Sequence, residues 1–305
     1  MTVLPTGEQF ALRSAGAEAV VVEVGGGLRT YRADRRDLLD GYGEREMAAG
    51  ARGHVLAPWP NRLRDGRYRW DGEEHETPLS EPETHNAIHG LVRYLPWRVT
   101  GRTSDTVALE LLLHPQPGYP WTLLLQVAYA LGPAGLQVTT TATNAGEVAV
   151  PYGEGHHPYL AAGAGLLVDD CTLVAPGATR LLTDERALPT GAEPVAGTGY
   201  DLRAGRPVGD LVVDHCFTDL DRDDAGRAWV RLTGPDGRGA AVWMDGAYGH
   251  LQLFTGDVLP EPRRRRGLAV EPMTCPPNAF ATGERVLRLE PGESTTGSWG
   301  IAPIG

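Results

Sequence analysis

The chain is poor in cysteine, in positive charge and in long apolar runs. Cys171, Cys216 and Cys275 are the only cysteines in 305 residues, and no CxxC occurs. So sparse and odd a set argues against a disulfide framework and a structural zinc site. No stretch approaches the ~18 consecutive apolar residues of a membrane span. The opening MTVLPTGEQFALRS lacks a basic region followed by an apolar one. A soluble, cytoplasmic protein without a membrane partner is therefore expected. Formal net charge is −11, and such an acidic surface repels phosphate backbones, so nucleic acid is not an expected partner. The one concentrated block of positive charge, Arg263 to Arg266, reads as a solvated loop.

Helical periodicity is also scarce. Short helical turns are expected at 33–41 and 209–217, but no run sustains an apolar stripe for three turns. No strand–helix alternation, linker or internal repeat stands out. What remains is strand signal: AVVVEV (19–24), TVALELLL (106–113), LLLQVAYAL (123–131), LQVTTTATN (136–144), AWVRL (228–232), AAVWM (240–244), HLQLFT (250–255) and RVLRLE (285–290). In LQVTTTATN, Leu136, Val138, Thr140 and Ala142 share one face and the polar residues the other. Gly234-Pro235-Asp236-Gly237 and Asp71-Gly72 read as hairpin turns. The expected architecture is all-β: residues 1–305 as a single domain, a large antiparallel β-sandwich with few short helices.

The polar chemistry collects in five stretches: APWPNRLRDGRY (57–68), HNAIHG (85–90), GEGHHPYL (153–160), VVDHCF (212–217) and LAVEPMTCPPNAF (268–280). On extended backbone His156 and His157 point to opposite faces. Tyr159 lies on the side of His157, which makes His157 the inward residue and His156 its outward or supporting neighbour; the alternative for His157 is a strand-end cap. His89 precedes Gly90, where backbone can approach closely. Asp214 and Glu271 each end an apolar run, where a carboxylate is costly unless paired. One partner would be Arg62; the other explanation is a cleft that needs an acid and a base. Pro272 holds Glu271 extended. Asn61, Arg62, Trp59 and Tyr68 complete an inventory suited to a neutral polyol, rings for the apolar sugar faces and planar donors for hydroxyls.

The ordered set NRL (61–63), NAIHGL (86–91), HHPYL (156–160), VDHCF (213–217) and VEPMTCPPNAF (270–280), with GYPW (118–121), resembles the aldose 1-epimerase, or galactose mutarotase-like, family. The likeness runs from about residue 10 to 303. It implies a large antiparallel supersandwich with a sugar cleft on one face, a monosaccharide substrate, no cofactor and no metal. Carried over residue by residue, it implies that His157 is the general acid and Glu271 the general base. His89 would serve the ring-oxygen side, with Asp214, Arg62 and Asn61 as substrate ligands. The chain departs from the pattern at Met273, where a glutamine is common. NAIHGLV and GYPW are similar to a bacterial subgroup that includes mutarotases associated with sulfosugars, for which the Arg263–Arg266 run would meet an anionic group.

Three rival readings accompany this one. A glycoside hydrolase would use Asp214 and Glu271 as its carboxylate pair. A metal enzyme would use His85, His89, His157 and Glu271. A non-catalytic sugar-binding module would bind without accelerating anything.

Overall fold

A computed structural model describes residues 3–14, 16–163 and 165–305. The chain is nearly all β, in antiparallel sheets. The larger sheet has nine strands. Thr106–Leu113, Leu123–Gly132, Gly135–Asn144 and Ser294–Ile304 run side by side in it, followed by Gly239–Met244 and Ala228–Thr233. Gly135–Asn144 alternates as expected, with Leu136, Val138, Thr140 and Ala142 buried and Gln137 exposed. A second sheet of eight strands carries Gly177–Thr183, Asp214–Leu220, His250–Phe254, Leu268–Met273, Gly155–His156 and Val55–Leu56, with Tyr159–Leu160 also paired to Leu268–Met273.

His156 ties the two large sheets together. Its Nε2 meets the Thr140 hydroxyl at 2.9 Å, and its ring packs 5.0 Å from that of Trp299. Thr140 and Trp299 belong to the nine-stranded sheet, so this face of the second sheet is core. Burying an aromatic such as Trp299 removes about 150–250 Å² from water, worth at most about 4–6 kcal/mol before chain entropy is subtracted.

Both expected hairpins form. Asp71-Gly72 has φ of 48° and 87° between Arg67–Trp70 and Glu73–Glu76, and Gly234 to Gly237 link Ala228–Thr233 to Gly239–Met244. The helical turns are misplaced. Residues 33–41 hold the turn and strand pairing of Arg36–Asp37 with Arg32 and Ala33. The 209–217 segment runs as a turn into the strand Asp214–Leu220. Among the described residues, the helical elements are Pro82–Thr84, Val168–Asp170 and Ala279–Thr282. Charge clusters such as ADRRDLLDG mimic a helix start, but hairpin pairing outweighs weak local propensity. No helix among the described residues is long and apolar enough to cross a membrane.

Candidate active site

Because successive side chains on a strand alternate, the face opposite His156 receives His157. That face opens into a cleft of about 290 Å³ whose walls include Asn61, Arg62, His89, His157, Asp214 and Glu271. The six residues that the resemblance implies as acid, base and sugar ligands therefore meet in one cavity. Its volume sits at the lower edge of the ~300–1,000 Å³ typical of small-molecule sites. That suits one monosaccharide better than a chain of them.

Strand register places the acids. Glu271 on Leu268–Met273 lies opposite Gln252, and Asp214 lies opposite Phe254. The Gln252 amide donates to Asp214 Oδ1 at 2.6 Å, which bridges the two carboxylate-bearing strands. Glu271 is buried, with Oε1 3.3 Å from His157 Nε2 and Oε2 without any partner. A buried, half-satisfied carboxyl is expensive unless a ligand completes it.

The His89 side is built by backbone. Asn61 adopts φ 55° and His89 φ 62°. The Asn61 N–H donates to His89 Nδ1 at 3.1 Å, and the His89 N–H donates back to the Asn61 carbonyl at 2.9 Å. With Nδ1 accepting, a neutral His89 carries its proton on Nε2 and acts as a donor from that atom. Gly90 is required beside it: at φ 65°, a Cβ would sit 2.0 Å from the Ala57 carbonyl oxygen. His89 and His157 meet edge to face, ring centroids 5.2 Å apart.

Electrostatics follow from burial. His157 is held well below the ordinary histidine range, at about 3, first by desolvation and then by Arg52, Arg93 and His54. Glu271 is pushed well above the ordinary carboxylate range by desolvation and by Asp214, with Arg62 opposing. Asp214, which is open to solvent on the cleft side, is raised by desolvation against the pull of Arg62 and Gln252. Burial thus disfavours both ions of the pair, raising the proton affinity of Glu271 and lowering that of His157.

Several expectations need correcting. Arg62 does not pair with Asp214 or Glu271; it is held through Nε and Nη2, at 2.8 and 2.9 Å, by Glu81. Its charge still reaches both cleft carboxyls through space and opposes the rise that burial imposes on each. Trp59 and Tyr68 are buried and contribute no cleft wall; the aromatic walls are Tyr94, Tyr159 and Phe254. Of the two expectations for His156, outward or supporting, the second fits: it is buried in the core on Thr140 and Trp299. Tyr119 of GYPW donates to the Pro151 carbonyl at 2.7 Å, supporting the segment before His157 rather than the cleft. Met273 is fully buried and does not line the cleft, so that departure leaves its walls unchanged.

Nor does the arginine run reach the cleft. Arg263 binds Asp40 and Glu46, while Arg265 is buried against Asp169 and Asp257. Of the four candidate metal ligands, His85 drops out, being exposed and paired with Asp65 at 2.8 Å. His89, His157 and Glu271 remain, each offering a donor within 4.8 Å of the others. They are the residues of the cleft that could hold a divalent ion, although one nitrogen of His89 is already spent on Asn61.

Sequence reasoning missed Glu81, Arg93, Tyr94 and Gln252. Only Gln252 carried a signal, an amide in the apolar run HLQLFT. Glu81, Arg93 and Tyr94 lie in loops whose direction no periodicity encodes.

The sequence profile described as aldose 1-epimerase matches residues 8–301. The uncharacterized protein YihR of Escherichia coli K12 is 34% identical over 290 residues, spanning 94% of this chain and 91% of YihR. Galactose mutarotase of Rattus norvegicus is 30% identical over 171 residues, 54% of this chain and 48% of that protein. Two solved structures share the fold. The GalM/aldose epimerase homologue from C. elegans superposes with TM-score 0.85 at 18% identity, covering 97% of this chain and 98% of that one. Galactose 1-epimerase from Lactobacillus acidophilus superposes with TM-score 0.79 at 21% identity, covering 95% and 92%. The chain belongs to the aldose 1-epimerase family.

Proposed function

We propose that the cleft interconverts the α- and β-anomers of a hexose through the open-chain aldehyde, with Glu271 as base and His157 as acid. The observation that carries this reading is the buried His157–Glu271 pair, 3.3 Å apart and lining a monosaccharide-sized cavity with one carboxyl oxygen unpartnered. The pair needs no proton from solvent to become active. A sugar hydroxyl donating to Glu271 Oε2 favours the carboxylate, and the proton crosses to His157. Glu271 then takes the anomeric hydroxyl proton as C1=O forms. His157 protonates the ring oxygen as the C1–O5 bond breaks. The result is protonated Glu271 and neutral His157, the forms that burial favours. Rotation about C1–C2 and the reverse transfers close the ring on the other face. His89, donating from Nε2, serves the ring-oxygen side, and Asn61, Arg62 and Asp214 hold hydroxyls. A glycoside hydrolase gives His157 no part, whereas this reading uses both members of the pair.

Polarimetry on freshly dissolved α-glucose and α-galactose tests the proposal. Wild type accelerates approach to the anomeric equilibrium, and Glu271→Gln and His157→Asn lose most of that acceleration. Saturable sugar binding without acceleration would leave only a binding module.

A second reading, an anionic sugar, is favoured by a different residue from the arginine run. Arg93 lines the cleft and donates to the Ile88 carbonyl at 2.9 Å, and it forms no salt bridge among the described residues. Burial lowers its pKa, as expected for a cation short of a counter-charge. A sulfonate or phosphate on the sugar would supply one. Comparing glucose with a sulfosugar and a hexose 6-phosphate decides between the readings. Arg93→Met should cost the anionic substrates selectively, and equal losses on neutral and anionic sugars reject the idea.

A further inference from the structure

The ring of His157 does not stand alone. It stacks nearly parallel on Tyr159, centroids 5.0 Å apart and planes 13° apart. The Arg52 guanidinium lies 4.0 Å from the centre of the same Tyr159 ring. Arg52 is buried and fully engaged: Nη2 and Nε donate to Asp40 Oδ2 at 2.8 and 3.2 Å, and Nη1 to the Ala49 carbonyl at 3.1 Å. The other Asp40 oxygen accepts from Arg263 at 3.2 Å. The backbone joins the same parts. Gly53 N–H donates to the His157 carbonyl at 2.9 Å, and Asp40 N–H to the Tyr159 carbonyl at 2.9 Å. The Tyr159 hydroxyl donates to the Gly50 carbonyl at 2.9 Å.

We propose that Arg52 is a positioning residue for His157. Fixed by Asp40 and backed by Arg263, it clamps the Tyr159 ring on which the imidazole stacks, and so sets the plane in which His157 meets Glu271. This gives Arg263 a role that neither a solvated loop nor an anion clamp supplies. The inference rests on the reading of His157 as the acid. Besides Tyr159, the groups against the imidazole are Glu271, with Oε1 3.3 Å from Nε2, and His89, edge to face.

The test reads the His157 ring-proton NMR shifts at one fixed pH, where stacking on Tyr159 displaces them by ring current, alongside polarimetry, in wild type and in Arg52→Met, Arg52→Lys and Asp40→Asn. Arg52→Met should lose that displacement, and kcat should fall about tenfold with KM within about twofold, because the acid is misplaced rather than the sugar lost. Lysine should restore neither reading, since it carries charge without a planar fork. Asp40→Asn, which loosens the hold on Arg52, should lose part of both. If Arg52→Met does not fold, the lysine and asparagine variants decide by the same two readings. A folded variant with wild-type ring shifts and kcat, or a loss confined to KM, overturns the proposal. Should the ring shifts change while wild type accelerates no anomerisation, the clamp stands and the assigned reaction fails.

Discussion

Replacing Glu271 by glutamine isolates the proton chemistry from the packing. Glutamine matches the carboxyl in shape, and its amide can donate to His157 Nε2 across the same gap, 3.3 Å in the native pair. What it cannot do is accept the anomeric proton. Losing one member of a general acid–base pair costs about 10²–10⁴-fold in kcat, or about 3–5 kcal/mol of barrier. KM should change little, because Asn61, Arg62, His89 and Asp214 keep their positions. Stability should move the other way. Glu271 has a folded-state pKa raised above its unfolded value near 4.5. The folded state therefore binds that proton more tightly. The stability this contributes is complete below pH 4.5 and is lost as pH rises through the raised value. At neutral and alkaline pH the native glutamate is thus a burden that glutamine removes. The variant should melt at or above the wild-type temperature, with a gap that widens as pH rises above 4.5. Polarimetry and calorimetry on the same samples read both effects. Turnover within tenfold of wild type, or a melting deficit that grows with pH, would refute the assignment of a dry, proton-holding Glu271.

His157→Asn should lose a similar share of kcat while keeping its fold, measured by polarimetry and circular dichroism. His156→Asn should leave turnover within a few-fold but lower stability by about 1–3 kcal/mol in denaturant titrations, since it gives up packing on Trp299 and the Thr140 bond. The pair works with one proton, so kcat/KM should plateau around neutrality. It should fall on the acid side as the pair gains a second proton and on the alkaline side as Glu271 loses its own. Glu154, buried between the Tyr152 and Tyr248 hydroxyls, has its carboxyl raised from 4.5 to about 7 by desolvation. Wild type should therefore lose about 3 kcal/mol from this group as pH rises from 4.5 to 7, and Glu154→Gln should flatten that part of the stability curve.

Alternation is a local property, so LQVTTTATN sits where its pattern puts it, and the opposed faces of His156 and His157 follow from extended backbone alone. The strands that carry the site were less legible: HLQLFT is among the expected strands, whereas Leu268–Met273, buried on both faces, is not, and Asp214–Leu220 overlaps the helical turn expected at 209–217. RVLRLE was read as six residues, but only Leu287–Leu289 pair, since ladder length depends on the partner strand. The loop residues were illegible for a related reason. Nothing in PWPNRL says that Arg62 turns to Glu81, nineteen positions away, because that meeting is set by the register of Arg62–Arg64 with Asn86–Ile88. Trp59 and Tyr68 were misjudged because aromatic rings near a polar site satisfy either a cleft or the core. Here Phe280 claims them, with ring centroids at 5.5 and 5.1 Å.

One dipeptide carries the coupling between scaffold and chemistry. His156 is pinned in the core by Thr140 and Trp299, and His157 one residue later faces Glu271. A strand cannot shift its register by one residue without exchanging those two faces. The same bond to Thr140 that adds stability therefore specifies which imidazole enters the cleft. A histidine is well suited to the inner position because its ring both packs and accepts or donates one hydrogen bond. The doubled histidine thus reads as one anchor and one acid, with the burial of the first holding the second in place.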